Sequence, residues 1–241
     1  MDRKAILIGT DTVSGIAPQI LKAINLASTE KTLPYGDDRF TKNCKKKICK
    51  IFENDNLEII PMMSGTASNS LALSSFLRSY GSLICHSEAH INKDEAGAPE
   101  FFSGGGKLIT INHESGKLDA KDIEDKIKKF NFKNKSLSKI SGVSITQLAE
   151  NGTAYTKDEI IKIHKICDIN NLYLHMDGAR FSNALVFQKG MSPAEMTWKI
   201  GVDCLSLGAT KNGALAAEVI IFFNKQLARE ALNQVKQTGH V

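Results

Sequence analysis

Four short segments of this chain group residues whose side chains can do chemistry. In Leu205-Ser-Leu-Gly-Ala-Thr210-Lys211-Asn-Gly213, Lys211 follows an apolar run and sits among small residues. Most lysines are solvated surface residues. One walled by small residues beyond a buried strand is a candidate amine nucleophile, because burial favours the neutral amine. In Leu174-His-Met-Asp177-Gly-Ala-Arg180, Asp177 closes another apolar run and Arg180 follows three residues later. The pair reads either as a salt-bridged strand end or as a binding pair. In the second reading Asp177 meets a cationic ring nitrogen, and Arg180 offers its planar fork to a carboxylate. Ser64-Gly65-Thr66-Ala-Ser-Asn69 follows a strand and opens a helix. Its small residues let backbone N–H groups converge on an anion at a helix N-terminus, or form an ordinary capped turn. Finally, His86-Ser-Glu-Ala-His90 puts two imidazoles beyond a strand, able to stack on a flat ligand or move protons near neutral pH.

These segments need a scaffold that presents all four on one side. Apolar runs at Glu58–Met63, Ser82–His86, Lys107–Ile111, Gly142–Leu148, Leu172–Asp177, Asp203–Leu207 and Glu218–Phe223 read as strands. Most lack polar alternation, as strands buried on both faces do. Helical periodicity fills the gaps at Thr66–Tyr80, Asp119–Phe130, Thr156–Asn171 and Ser192–Ile200. Further helices are expected from Pro18 to about Ala27 and from Lys225 to Lys236. Thr156 and Glu159 have the spacing of a capping box, and Pro18 suits a first helical turn. Asn131–Ser141 reads as a polar surface loop. The alternation predicts an α/β fold: three α/β/α layers around a mainly parallel, seven-stranded sheet. Sites in such sheets lie beyond the carboxyl ends of the strands, where all four segments fall.

Composition narrows the function classes. Of 241 residues, 42% are hydrophobic and 24% charged, the balance of a globular chain that needs no metal or disulfide to fold. The net charge of +5 is spread as lysine; its densest run, Lys42 to Lys50, reads as a solvated helix face rather than a nucleic-acid patch. The five cysteines form no C-x-x-C pair, which argues against disulfide frameworks and metal sites and for reduced, cytoplasmic thiols. The apolar run Ala5–Ile8 is too short for a signal peptide, and no run approaches a membrane span.

The chain resembles the threonine aldolase family of fold type I, grouped with the aromatic amino-acid β-eliminating lyases, and looks closest to its low-specificity L-threonine branch. Cys85-His-Ser-Glu-Ala-His90, Ala98-Pro-Glu-Phe-Phe-Ser-Gly104, Val143-Ser-Ile-Thr-Gln147, His175-Met-Asp-Gly-Ala-Arg-Phe181 and Gly208-Ala-Thr-Lys-Asn-Gly-Ala214 carry the likeness. The resemblance implies pyridoxal 5′-phosphate as cofactor, bound covalently by Lys211. It implies Asp177 on the ring nitrogen, His90 stacked on the ring, and Ser64, Gly65, Thr66 and Thr210 among the cofactor contacts. Arg180 and Thr10 would hold the substrate carboxylate, and Lys236 would reach a phosphate, that of a neighbouring subunit. The implied reaction is retro-aldol cleavage of β-hydroxy amino acids such as L-threonine and L-allo-threonine to glycine and an aldehyde, with His86 or His90 as base. A cofactor-binding chain without turnover, or another lyase or transaminase, is the alternative. Residues 1–30 would form an N-terminal segment and 31–241 the cofactor-binding large domain of a homodimer or homotetramer. The family's C-terminal small domain would be missing.

Overall fold

The computed structural model describes residues 10–13, 15–133 and 139–240. Seven strands form one sheet: β1 Glu58–Met62, β2 Gly81–His86, β3 Lys107–Ile111, β4 Lys139–Thr146, β5 Tyr173–Gly178, β6 Cys204–Gly208 and β7 Glu218–Phe222. Their order is β1-β7-β6-β5-β4-β2-β3. Pairing is parallel from β3 through to β6, whereas β7 runs antiparallel to both neighbours, β6 and β1.

Helices among the described residues are α1 Pro18–Ser28, α2 Arg39–Ile51, α3 Gly65–Ser74, α4 His90–Lys93, α5 Ala98–Phe102, α6 Ala120–Lys133, α7 Lys157–Ile169, α8 Phe181–Phe187 and α9 Lys225–Gln234. Successive strand residues feed opposite cores, because side chains alternate across a sheet. Ile84, Leu174, Met176, Leu205 and Ile221 pack on one face with Ile48 of α2, Ile123 of α6 and Ile160 and Ile163 of α7. Leu83, Cys85, Cys204, Ile220 and Phe222 pack on the other face with Leu71 and Leu73 of α3 and Leu227 and Ala231 of α9. Burying each such side chain stabilises by roughly 1.5–3 kcal/mol before chain entropy is subtracted. The expected three layers are present, and no described helix is long and apolar enough to cross a membrane.

Local chemistry fixes the ends that matter. The Ser64 hydroxyl caps α3 by accepting from the Ala67 amide at 3.2 Å. α7 starts on the expected capping box of Thr156 and Glu159. The lysine run belongs to α2, capped by Asp38. Three expectations need correction. α3 stops at Ser74, six residues early: the Ser74 and Ser75 hydroxyls bond back to the Leu71 and Ala72 carbonyls, and tighter turns take over. Ser192–Ile200 is not a continuous helix. Ser192 and Glu195 start one by reciprocal bonds, but Thr197 leaves helical geometry and only the single turn Trp198–Ile200 follows. The loop expected at Asn131–Ser141 is helical to Lys133 and strand from Lys139. Residues 134–138 and the run Ala5–Ile8 lie outside the described residues.

Candidate functional site

A cavity of about 460 Å³ opens beyond the carboxyl ends of β1, β2, β4, β5 and β6, where a parallel sheet presents its loops. It gathers Ser64, Gly65, Thr66, His90, Asp177, Arg180, Thr210 and Lys211 on its walls. Ser64–Thr66 arrive as the first turn of α3. A Cβ built on Gly65 would meet nothing within 4 Å, so the backbone there faces open space. Lys211 lies on the short β6–β7 connection, and Gly208 lets that connection begin against β5. A Cβ at Gly208 would sit 2.9 Å from Ala179 Cα.

Asp177 is 4% exposed at the cavity floor. Its Oδ1 accepts from the Ala179 amide at 3.0 Å and its Oδ2 from Asn69 Nδ2 at 2.9 Å. The same Asn69 nitrogen donates to Glu95 Oε1 at 2.8 Å, and His90 Nδ1 lies 2.9 Å from that oxygen. The Glu95 hydrogen bond holds His90 above the ordinary histidine value, and burial lifts Glu95 above that of an exposed carboxylate. Glu150, which accepts the His90 amide at 3.0 Å, is lifted by burial as well. So is Glu218, bonded to Thr210 at the start of β7. Asn69 Oδ1 and Glu95 Oε2 are buried without a partner. Arg180 gives Nε and Nη2 to Asp11, at 2.5 and 3.2 Å, and Lys211 Nζ is 3.8 Å from Asp11 Oδ1.

Three sequence candidates are not brought together with these. His86 is buried, with its Nδ1 taking the Glu88 amide hydrogen at 3.1 Å and its Nε2 3.0 Å from the His113 carbonyl. Backbone groups engage both its nitrogens, away from the cavity. The Thr10 hydroxyl pairs with that of Thr12 at 3.0 Å, and it is Thr12 that lines the wall. Lys236 lines a separate cleft of about 410 Å³ beside β1, with Lys45 and His240. Asn69, Glu95, Glu150, Glu218 and Asp11 also meet at or beside the cavity. Asn69 lies in the Ser64–Asn69 turn and Asp11 beside Thr10; the other three carry no local mark in the sequence.

The architecture and cavity define an α/β scaffold with an amine, an acid and an open helix N-terminus around one space. The chain belongs to the beta-eliminating lyase family, whose description matches residues 8–241. It is 44% identical over 232 residues to a low specificity L-threonine aldolase of Pseudomonas sp., covering 96% of this chain and 66% of that protein. A low specificity L-threonine aldolase of Pseudomonas aeruginosa is 43% identical over 234 residues, with the same coverage. The chain thus spans 66% of the length of these curated relatives. The solved structure of a Leishmania major threonine aldolase superposes with a TM-score of 0.88 at 30% identity, over 95% of this chain and 66% of that one.

Proposed function

We propose that the cavity binds pyridoxal 5′-phosphate and that the chain takes part in cleaving L-threonine and L-allo-threonine to glycine and acetaldehyde. One observation carries this reading: the Lys211 amine, the buried Asp177 carboxylate and the open N-terminus of α3 wall the same cavity. Those groups suit, in turn, the aldehyde, the ring nitrogen and the phosphate of that cofactor. The open space over Gly65 is where a Cβ would obstruct a phosphate. The low specificity L-threonine aldolases among the relatives support the substrate class.

When bound, the cofactor supplies the electron sink for the pair released as the Cα–Cβ bond breaks. The chain's residues do the rest. Lys211 would hold the cofactor through its side-chain amine, the group that a substrate amine would replace. Asp177, fixed by Asn69 and Ala179, would pair with the ring nitrogen and keep it protonated. Arg180 takes the substrate carboxylate in its planar fork. His90 has Nδ1 committed to Glu95, so Nε2 is the nitrogen available for the β-hydroxyl proton. The proton taken from the β-hydroxyl would be returned at Cα by the same base, so that glycine and the aldehyde account for every atom of the substrate. His86 lacks access to the cavity, which leaves His90 as the base.

The test is direct. Purified chain mixed with pyridoxal phosphate should develop the absorbance of a lysine-bound cofactor, and L-threonine or L-allo-threonine should then yield acetaldehyde. No cofactor absorbance would remove the reading; absorbance with no aldehyde would remove the aldolase assignment. We also infer a cytoplasmic homo-oligomer. The five cysteines are free, and α1 buries none of its residues while exposing Leu21, Ile24 and Leu26. An assembly is also the route by which Lys236 would reach a phosphate, since it does not reach this chain's own cavity. Light scattering that returns a monomer would exclude it.

A further inference from the structure

Asp11 has no part in the reading above, yet it touches both Arg180 and Lys211. The manner of the Arg180 contact matters. A guanidinium has a side edge, Nε with Nη2, and an end fork, Nη1 with Nη2. Asp11 takes the side edge, with Oδ2 on Nε and Oδ1 on Nη2. Among the described residues, Nη1 and the outer hydrogen of Nη2 have no other acceptor and stay available to a second carboxylate, in the bidentate geometry that makes such pairs strong. Asp11 is held in turn by its surroundings. The Thr10–Thr12 hydroxyl pair brackets it, and the Ala17 amide donates to the Gly213 carbonyl at 2.9 Å, tying this segment to the Lys211 connection. Arg180 is 26% exposed on a long, flexible stem. Unsupported, it would sample many rotamers and lose entropy on every binding event. The Arg180 hydrogen bond also keeps Asp11 below the usual carboxylate range, so the restraint persists through neutral pH.

We propose that Asp11 is a positioning residue that grips the side edge of Arg180, presents its end fork to the ligand's carboxylate, and so selects amino acids over simple amines. The proposal rests on the reading that Arg180 receives the substrate carboxylate. A plug would do the reverse, since it would compete with the ligand for Arg180.

The experiment compares wild type, Asp11→Asn, Asp11→Glu and Arg180→Ala, each loaded with pyridoxal phosphate. Dissociation constants are measured by absorbance titration for glycine and for isopropanolamine, which is threonine without its carboxylate. Asp11→Asn should weaken glycine about tenfold, the loss of one orienting charge-assisted contact, and leave isopropanolamine unchanged. Asp11→Glu, which keeps the charge, should recover part of the loss. Equal loss for both ligands would mean a general structural role and would overturn the proposal. Unchanged or tighter glycine binding in Asp11→Asn would overturn it too, the latter identifying a competitor. Arg180→Ala separates the two levels. If it loses glycine while Asp11→Asn does not, only the role of Asp11 fails. If it binds glycine as wild type does, the assignment of Arg180 fails and the proposal goes with it.

Discussion

His175 and Asp177 stand two residues apart on β5, on the same face of the sheet, in opposite circumstances. The His175 ring is fully buried between two hydroxyls, Ser144 Oγ at 2.9 Å from Nδ1 and Ser206 Oγ at 3.0 Å from Nε2. Both nitrogens are satisfied and nothing opens onto them. One step along the pleat, Asp177 joins Asn69, Glu95 and His90 in a cluster that borders a cavity and leaves two buried oxygens unpartnered. A closed polar cluster stitches strands β4, β5 and β6 together. An incompletely satisfied one keeps hydrogen-bonding capacity that the fold does not consume, and the unpartnered atoms lower stability by a few kcal/mol in doing so. Polarity and burial fail to separate these two clusters; completeness of pairing does.

That contrast can be broken in several ways. Lys211→Ala should eliminate the lysine-bound cofactor absorbance and cut acetaldehyde release by on the order of 10³-fold or more, with an unchanged unfolding midpoint. His175→Leu should do the opposite. It leaves the Ser144 and Ser206 hydroxyls unpaired and should cost about 2–5 kcal/mol in urea unfolding, while folded protein keeps its cofactor. The pH dependence of stability sharpens the same point. Burial pushes His175 down to about 4 from 6.5. As pH falls below 6.5 the unfolded chain gains a proton that the folded one refuses. Wild type should therefore lose stability as pH falls below 6.5, and His175→Leu should lack that component. His90 has the opposite sign. Raised by Glu95, it contributes stability that is present at low pH and lost as pH rises through its folded value. Glu95→Gln should lower the His90 titration seen by NMR and shift the acid limb of the pH–rate profile the same way. Smallest in stability is Gly65→Ala, which should change unfolding by no more than about 1 kcal/mol, favourably if at all. It should still weaken pyridoxal phosphate binding in a titration, and unaltered affinity would remove α3 from the phosphate site.

The layers of the fold were legible because the strands are nearly uniform apolar runs, with Leu83-Ile-Cys85 and Val219-Ile-Ile-Phe222 feeding both cores at once. The sheet order and the reversed direction of β7 were not, since both depend on pairings between distant segments. Around the cavity, Lys211 and Gly65 are marked by following strands and Asp177 by closing one. Glu95 did not: in Asn92-Lys-Asp-Glu95 it reads as one more solvated acid, and only the approach of α3 buries it against His90 and Asn69. His86 misled for the converse reason. It ends a strand as a site residue should, but the neighbouring chain at His113 turns back and engages its ring.

The place of β7 in the sheet couples the two sides of the cavity. β1 carries the turn that begins α3, yet among the described strands its sole partner is β7, the seventh in chain order. Without β7 the strand that leads into the α3 terminus has no ladder to join, although α3 itself also packs on β5, β6 and α5 and bonds Asp177 through Asn69. A ligand that bridges the α3 terminus and Lys211 would therefore favour the molecules in which β7 has joined β1 to β6.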